Sequence, residues 1–222
     1  MSRVRVKICG LREIDNALKA VECGADAIGF VFYDKSSRFV DKEKVRGIIK
    51  EIPSMVNKVG VFVNHSIDEI LRYVETGIDT IQLHGDSNFY NAKFILKLKE
   101  RTNLSIIYAI RIQKLSDELI NLPLVKEVND LVSSILVDKL SDKEYGGTGE
   151  SFFIENISNK EFLRSRIILA GGINEKNILN ILSKIKPYAI DISSGVEKEK
   201  GVKDNKLIEN FFKVFNQYCL NL

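Results

Sequence analysis

An α/β fold in which eight parallel strands close into a single (β/α)8 TIM barrel is what this sequence predicts, and three observations carry it. Short apolar runs alternate with longer amphipathic stretches along the chain; there are eight such runs; and no G-x-G-x-x-G follows the first of them, where "CGLREI" stands. Strands alternating with helices argue for a parallel sheet covered by helices. The competing closure, an open doubly wound sheet, carries a dinucleotide fingerprint in its first turn when it binds such a cofactor. Barrels typically take ~250 residues, so the 222 here suit a small one. No linker, low-complexity tract or charge block divides them, and residues 1–222 read as one domain.

The first run, "VRVKIC" (4–9), alternates Val4, Val6 and Ile8 with Arg5, Lys7 and Cys9, the period of a strand with two unlike faces. The others are "AIGFVF" (27–32), "KVGVFV" (58–63), "TIQLH" (80–84), "SIIYAI" (105–110), "SILVD" (134–138), "RIILA" (166–170) and "AIDIS" (189–193). Between them stand helical patterns such as "EIDNALKAVECG", "DKEKVRGIIKEI", "SIDEILRYVETG" and "EKNILNILSKIK". Ser66 followed by Glu69 predicts a capping box at the start of the third. The connection 111–133 is the weakest: Pro123 interrupts it, which predicts an irregular segment rather than one helix.

Totals exclude several function classes. With 33 basic and 30 acidic residues interspersed, there is no basic face for nucleic acid, although a local pocket for an anion remains open. The N-terminal "MSRVRVKICG" is charged from the start, so neither a signal peptide nor a membrane span is expected. Cys9, Cys23 and Cys219 lie far apart, which suits reduced thiols in a cytoplasmic protein. Only His65 and His84 are present, and no metal centre is expected.

In a barrel the active site forms where strands end at their C-terminal face. Strand one ends in Cys9, strand four in His84, strand six in Asp138; the loop after strand two, "YDKSSRF", carries Lys35 and Arg38. Parity adds direction. If Val4, Val6 and Ile8 face the helices, Lys7 and Cys9 point inward, and if Ile135 and Val137 face outward, Asp138 points inward. A thiol and a carboxyl group at one rim suit a base and an acid acting on two sides of one small molecule. Each has a plainer reading. A strand-end cysteine is as often a small buried apolar residue, Asp138 could cap its turn, and His84 reads as a pocket wall. Lys7 could favour the Cys9 thiolate or pair with a carboxylate.

Glycines mark a second chemistry. "LAGGIN", with Gly171 and Gly172, follows strand seven, and "ISSGVE", with Ser193, Ser194 and Gly195, follows strand eight. These are the two connections where barrels commonly bind phosphate through backbone N–H groups; the plain alternative is two tight turns. "YGGTGESF" (145–152) is a third glycine-rich loop, a mobile flap or a simple connection.

Taken in order, "KICGL", "GADAIGFVF", "KSSRF", "VGVFVN", "IQLHGD", "LVD", "YGGTGESF", "LAGGIN" and "DISSGVEKEKGVKD" resemble the motifs of the phosphoribosylanthranilate isomerases, from residue 4 to about 204. The resemblance implies a (β/α)8 barrel that turns N-(5′-phosphoribosyl)anthranilate into its 1-deoxyribulose form, an Amadori rearrangement in tryptophan biosynthesis that needs no cofactor or metal. It implies Cys9 as general base, Asp138 as general acid, Arg38 as the holder of the anthranilate carboxylate, the two glycine loops as the phosphate cradle, and Asp191 as a substrate contact. Lys7, from parity, is the cation expected to lower the Cys9 pKa and to stand near the substrate with His84. The chemistry asks for an acid that keeps its proton and a thiol that loses its own.

Two other readings compete. A related histidine-pathway isomerase would generally place aspartates in both roles and carry two phosphate loops, whereas strand one here ends in cysteine. A non-catalytic phosphate sensor would need the grip without the acid–base pair. The expected partner is a phosphorylated small molecule; monomer and homodimer both remain open.

Overall fold

The computed structural model describes residues 3–112, 114–115, 122–139, 153–154 and 166–220. In chain order its elements are β1 (Arg5–Cys9), α1 (Ile14–Cys23), β2 (Ala27–Val31), α2 (Lys42–Glu51), β3 (Asn57–Phe62), α3 (Ile67–Val74), β4 (Thr80–Leu83), α4 (Ala92–Arg101) and β5 (Ser105–Ile112). There follow β6 (Lys114–Leu115), α5 (Pro123–Val128), β7 (Ser134–Lys139), β8 (Phe153–Ile154), β9 (Ile167–Leu169), α6 (Ile178–Lys184), β10 (Ala189–Ile192), β11 (Glu197–Glu199), β12 (Val202–Lys203) and α7 (Asn205–Leu220). Eight of the strands close a parallel barrel in the order β1-β10-β9-β7-β5-β4-β3-β2. These are the eight apolar runs of the sequence, each within two residues of its expected span.

Local chemistry starts α3 where it was expected to. Ser66 accepts from the Glu69 N–H while Glu69 bonds back to the Ser66 N–H, the capping box that opens α3. Asp41 and Asn91 cap α2 and α4 from one side only, accepting from the Lys44 and Phe94 N–H groups. The described part of the fifth connection is in pieces, as anticipated, but Pro123 does not interrupt a helix. It stands in the first turn of α5 and opens that helix, because its missing N–H would have had no partner there and its fixed φ suits the turn.

Strand parity decides what is core. Val6, Ile8, Ile135, Val137, Ile190 and Ile192 face outward into one large cluster with Ala17, Ile70, Leu98 and Phe211 of the helices. Inside the barrel, Val59, Ile107, Ala109, Leu136 and Ile168 fill the lower layers, and Cys9, Val31 and Val61 form the layer above. The interior is thus packed mainly by apolar side chains from below, and its polar groups concentrate toward the C-terminal rim. The loop "YGGTGESF" (145–152) lies outside the described residues. Among those described, no helix is long and apolar enough to cross a membrane, and no cluster of three metal-ligating side chains occurs.

Candidate active site

At that rim opens a cavity of about 320 Å³, within the usual size of small-molecule sites. Its lining includes Cys9, Arg38, His84, Asp138, Asp191, Gly171, Gly172, Ser193 and Ser194, so nine of the residues singled out from sequence meet in one place. Lys7 and Gly195 are not on the lining. Lys35 and Lys200 add two ammonium groups to the wall, a basic lining suited to an anion.

Lys7 is 3% exposed and spends its charge on Asp191, both of whose oxygens lie 3.0 Å from its Nζ. The pair is built by barrel closure, since Lys7 and Asp191 are direct ladder partners of β1 and β10. Lys7 therefore stands behind the cavity wall rather than on it, and its expected pull on the Cys9 pKa is present but does not decide the net. Burial pushes the thiol up; the ammonium of Lys7 pulls it down, Asp191 opposes that pull, and the net is a thiol above its ordinary value. For Lys7, burial disfavours the charged form, but Asp191 and Cys9 outweigh it and hold the ammonium above its ordinary pKa. Gly29 of the neighbouring strand makes room for both: a Cβ there would come within 2.9 Å of the Cys9 Sγ and 3.1 Å of the Lys7 Nζ.

Opposite Cys9 stands Asp138, buried to 6% exposure at the end of β7. The His84 Nε2 is 3.6 Å from its Oδ2, too long for a hydrogen bond. Burial, and then the cations of Arg111 and Lys7, push His84 down to about 3, so it is a neutral ring at neutral pH. Its Nε2 faces the Arg111 Nη2 at 3.4 Å, which makes that nitrogen the acceptor and places the ring proton on Nδ1.

Among the polar lining residues that escaped the sequence reading, Gln82 and Arg111 are the two carried by barrel strands. β5 runs on to Ile112, and by parity Arg111 follows Ile107 and Ala109 inward, paired in register with Asp138. Ending that strand at Ile110 concealed it. Gln82 shares the inward face of β4 with His84, and its Oε1 is buried with no hydrogen-bond partner. A polar side chain between the outward Ile81 and Leu83 was the available signal.

Arg38 reaches the cavity from the β2–α2 loop and is held from behind. Its Nε and Nη2 donate to the two oxygens of Glu197, at 2.7 and 2.8 Å. Ser193 Oγ donates to the Cys9 carbonyl at 3.1 Å, tying the second glycine loop to the end of β1. Gly195 packs so closely on Ile173 that a Cβ would run into the Ile173 carbonyl oxygen. Gly195 thus locks one loop against the other rather than lining the cavity.

A family model described as N-(5′-phosphoribosyl)anthranilate (PRA) isomerase matches residues 6–214. The curated protein of that name from Pseudomonas putida is 40% identical over 225 residues, spanning 98% of this chain and all of the relative. The crystal structure of phosphoribosyl anthranilate isomerase from Thermotoga maritima superposes with a TM-score of 0.83 at 34% identity, over 96% of this chain and 99% of that one. A structure of the enzyme in complex with reduced 1-(o-carboxyphenylamino)-1-deoxyribulose 5-phosphate superposes with a TM-score of 0.78 at 32% identity, again over 96% and 99%. A barrel whose rim joins a thiol, a carboxyl group, an arginine and two glycine loops, and whose sequence matches from end to end, belongs to the N-(5′-phosphoribosyl)anthranilate isomerase family.

Proposed function

We propose that this chain, acting as one catalytic domain, isomerises N-(5′-phosphoribosyl)anthranilate to 1-(2-carboxyphenylamino)-1-deoxyribulose 5-phosphate, with Cys9 as base and Asp138 as acid. The observation that carries the reading is that a thiol and a carboxyl group line one cavity from strands three steps apart in an eight-stranded barrel. A proton from Asp138 to the furanose oxygen opens the ring and leaves a Schiff base at C1′. That cation acidifies the C2′ hydrogen, which the Cys9 thiolate removes. The resulting enolamine becomes the ketone as its C2′ hydroxyl proton moves to C1′. Cys9 ends protonated and Asp138 ionised, and the proton is exchanged before the next turnover. Arg38 holds the anthranilate carboxylate, and the Gly171–Gly172 and Ser193–Ser194 loops hold the phosphate through backbone N–H groups. The test is turnover of N-(5′-phosphoribosyl)anthranilate, with the product identified by NMR; no conversion at micromolar enzyme would overturn the reading.

Gln82 fits the same scheme as an acceptor for a substrate hydroxyl or amine. An unpaired buried acceptor costs about 1–3 kcal/mol of stability. Gln82→Met is therefore expected to raise Tm, by roughly 2–4 °C for each kcal/mol recovered in a chain of this length, while lowering kcat/KM. Calorimetry with steady-state kinetics checks both; unchanged kinetics would remove Gln82 from the site.

Phosphate binding is tested without turnover. Inorganic phosphate at a hundred times its Kd should add about 2.7 kcal/mol to the stability of the wild type. Gly195→Val should abolish that gain, because its side chain cannot fit against the Ile173 carbonyl and must part the two loops. Cys9→Ser should keep it. Equal stabilisation of both variants in thermal melts would place the anion elsewhere.

A further inference from the structure

We infer that Glu197 is a positioning residue that fixes Arg38 in its carboxylate-binding pose, with Lys203 tuning the charge of the unit; this rests on the reading of Arg38 given above. Glu197 begins β11 and is itself nearly enclosed, its side chain 4% exposed. Its Oε1 accepts from Arg38 Nε and from Lys203 Nζ, both at 2.7 Å, and its Oε2 accepts from Arg38 Nη2 at 2.8 Å and the Gly201 N–H at 3.2 Å. A carboxylate has about four lone-pair sites, and four donors fill them. The guanidinium edge facing Glu197 is thus clamped in both position and plane.

Among the described residues, Arg38 lines the cavity while Glu197 and Lys203 do not, so Glu197 acts on a ligand indirectly, and most directly through Arg38. Two cations and one anion leave the unit with a single net positive charge, matched to one carboxylate. Burial alone would raise the Glu197 pKa, but Arg38 and Lys203 hold it down at about 2, so the anion persists at any working pH. Lys203 also donates to the Ser193 carbonyl at 2.9 Å and to the Ser193 Oγ at 3.1 Å, joining the clamp to the second glycine loop. The clamp joins the connections after the two strands that flank β1: Arg38 comes from the β2–α2 loop, and the hairpin β11–β12, in which Glu197 and Lys203 are ladder partners, follows β10.

Replacing Glu197 by Gln keeps an acceptor but removes the charge between two buried cations. Their repulsion then drives the guanidinium out of place, since a buried pair broken on one side leaves an uncompensated charge. The competing effect, a stronger bare attraction for the ligand carboxylate, predicts the opposite sign, so the experiment decides between them.

Binding of anthranilate and of inorganic phosphate to wild type, E197Q, R38A and the double variant is measured by calorimetry, alongside kcat and KM. Expected for E197Q is anthranilate affinity lower by about tenfold or more, KM higher, kcat little changed, and phosphate affinity unaltered. The double variant should bind anthranilate no more weakly than R38A alone. Unchanged or tighter anthranilate binding in E197Q, additive losses in the double variant, or an equal loss of phosphate affinity would overturn the inference. If R38A itself leaves anthranilate binding intact, the reading of Arg38 fails, and the inference with it. Glu197→Asp, which keeps the charge but withdraws it by a methylene, serves where E197Q does not fold, with the same expected loss for anthranilate alone.

Discussion

Cys9→Ser is expected to lower kcat by ~10²–10⁴ while leaving the barrel folded, the scale of losing a general base. The substitution is close to isosteric in a layer shared with Val31 and Val61, so packing survives. A hydroxyl beside Lys7 still finds a donor, but its pKa lies far above that of any thiol. Thermal melting and circular dichroism check the fold, and steady-state kinetics check the rate. The thiol itself is readable in the wild type: burial holds its pKa above the ordinary value, against the pull of Lys7. Alkylation of Cys9, followed by peptide mass spectrometry to separate it from Cys23 and Cys219, should therefore accelerate with pH through a midpoint above about 8.5. A midpoint below that value would mean that Lys7 wins over burial and Asp191. Near-normal kcat in the serine variant would return Cys9 to a packing role.

Whatever depends on period and position along one strand was legible in the sequence, and what depends on closure of the barrel was less so. The inward direction of Cys9 and Asp138 follows from three residues of apolar alternation in the first apolar run and two in the sixth. The capping box at Ser66 and Glu69 follows from four residues of local sequence. The carboxylate that Lys7 pairs with was not identified, because Asp191 is 184 residues away and becomes a neighbour only when β10 closes against β1. The carboxylate behind Arg38 was hidden for the same reason, 159 residues distant along the chain. Arg111 was lost to a strand boundary placed two residues short, where a charged side chain looked like the start of a loop. Gly195 was placed at the phosphate from the general behaviour of glycine loops, whereas its tightest contact is with the Ile173 backbone.

Asp138→Asn is the complementary experiment, and its pH dependence separates the acid from the base more sharply than its rate. The amide is nearly the same size and stays at the end of β7, within reach of a neutral His84, so substrate binding should be retained and KM change little. It has no proton to give the furanose oxygen, and kcat should collapse by a factor comparable to that for Cys9→Ser. In the wild type the rate follows the product of two fractions, protonated Asp138 and ionised Cys9. Raising the pH gains thiolate while it loses carboxylic acid. With Asp138 replaced, only the thiol titrates, and the residual rate should rise with pH until Cys9 is ionised. With Cys9 replaced, only the carboxyl group titrates, and the residual rate should fall as pH rises through its pKa. Two residual activities bending in opposite directions would identify base and acid separately from any structural damage, because a misfolded fraction scales a profile without reversing its slope. A steep rise in KM with kcat held, or residual profiles that both keep the wild-type shape, would make Asp138 a binding residue and leave the ring-opening proton without a donor.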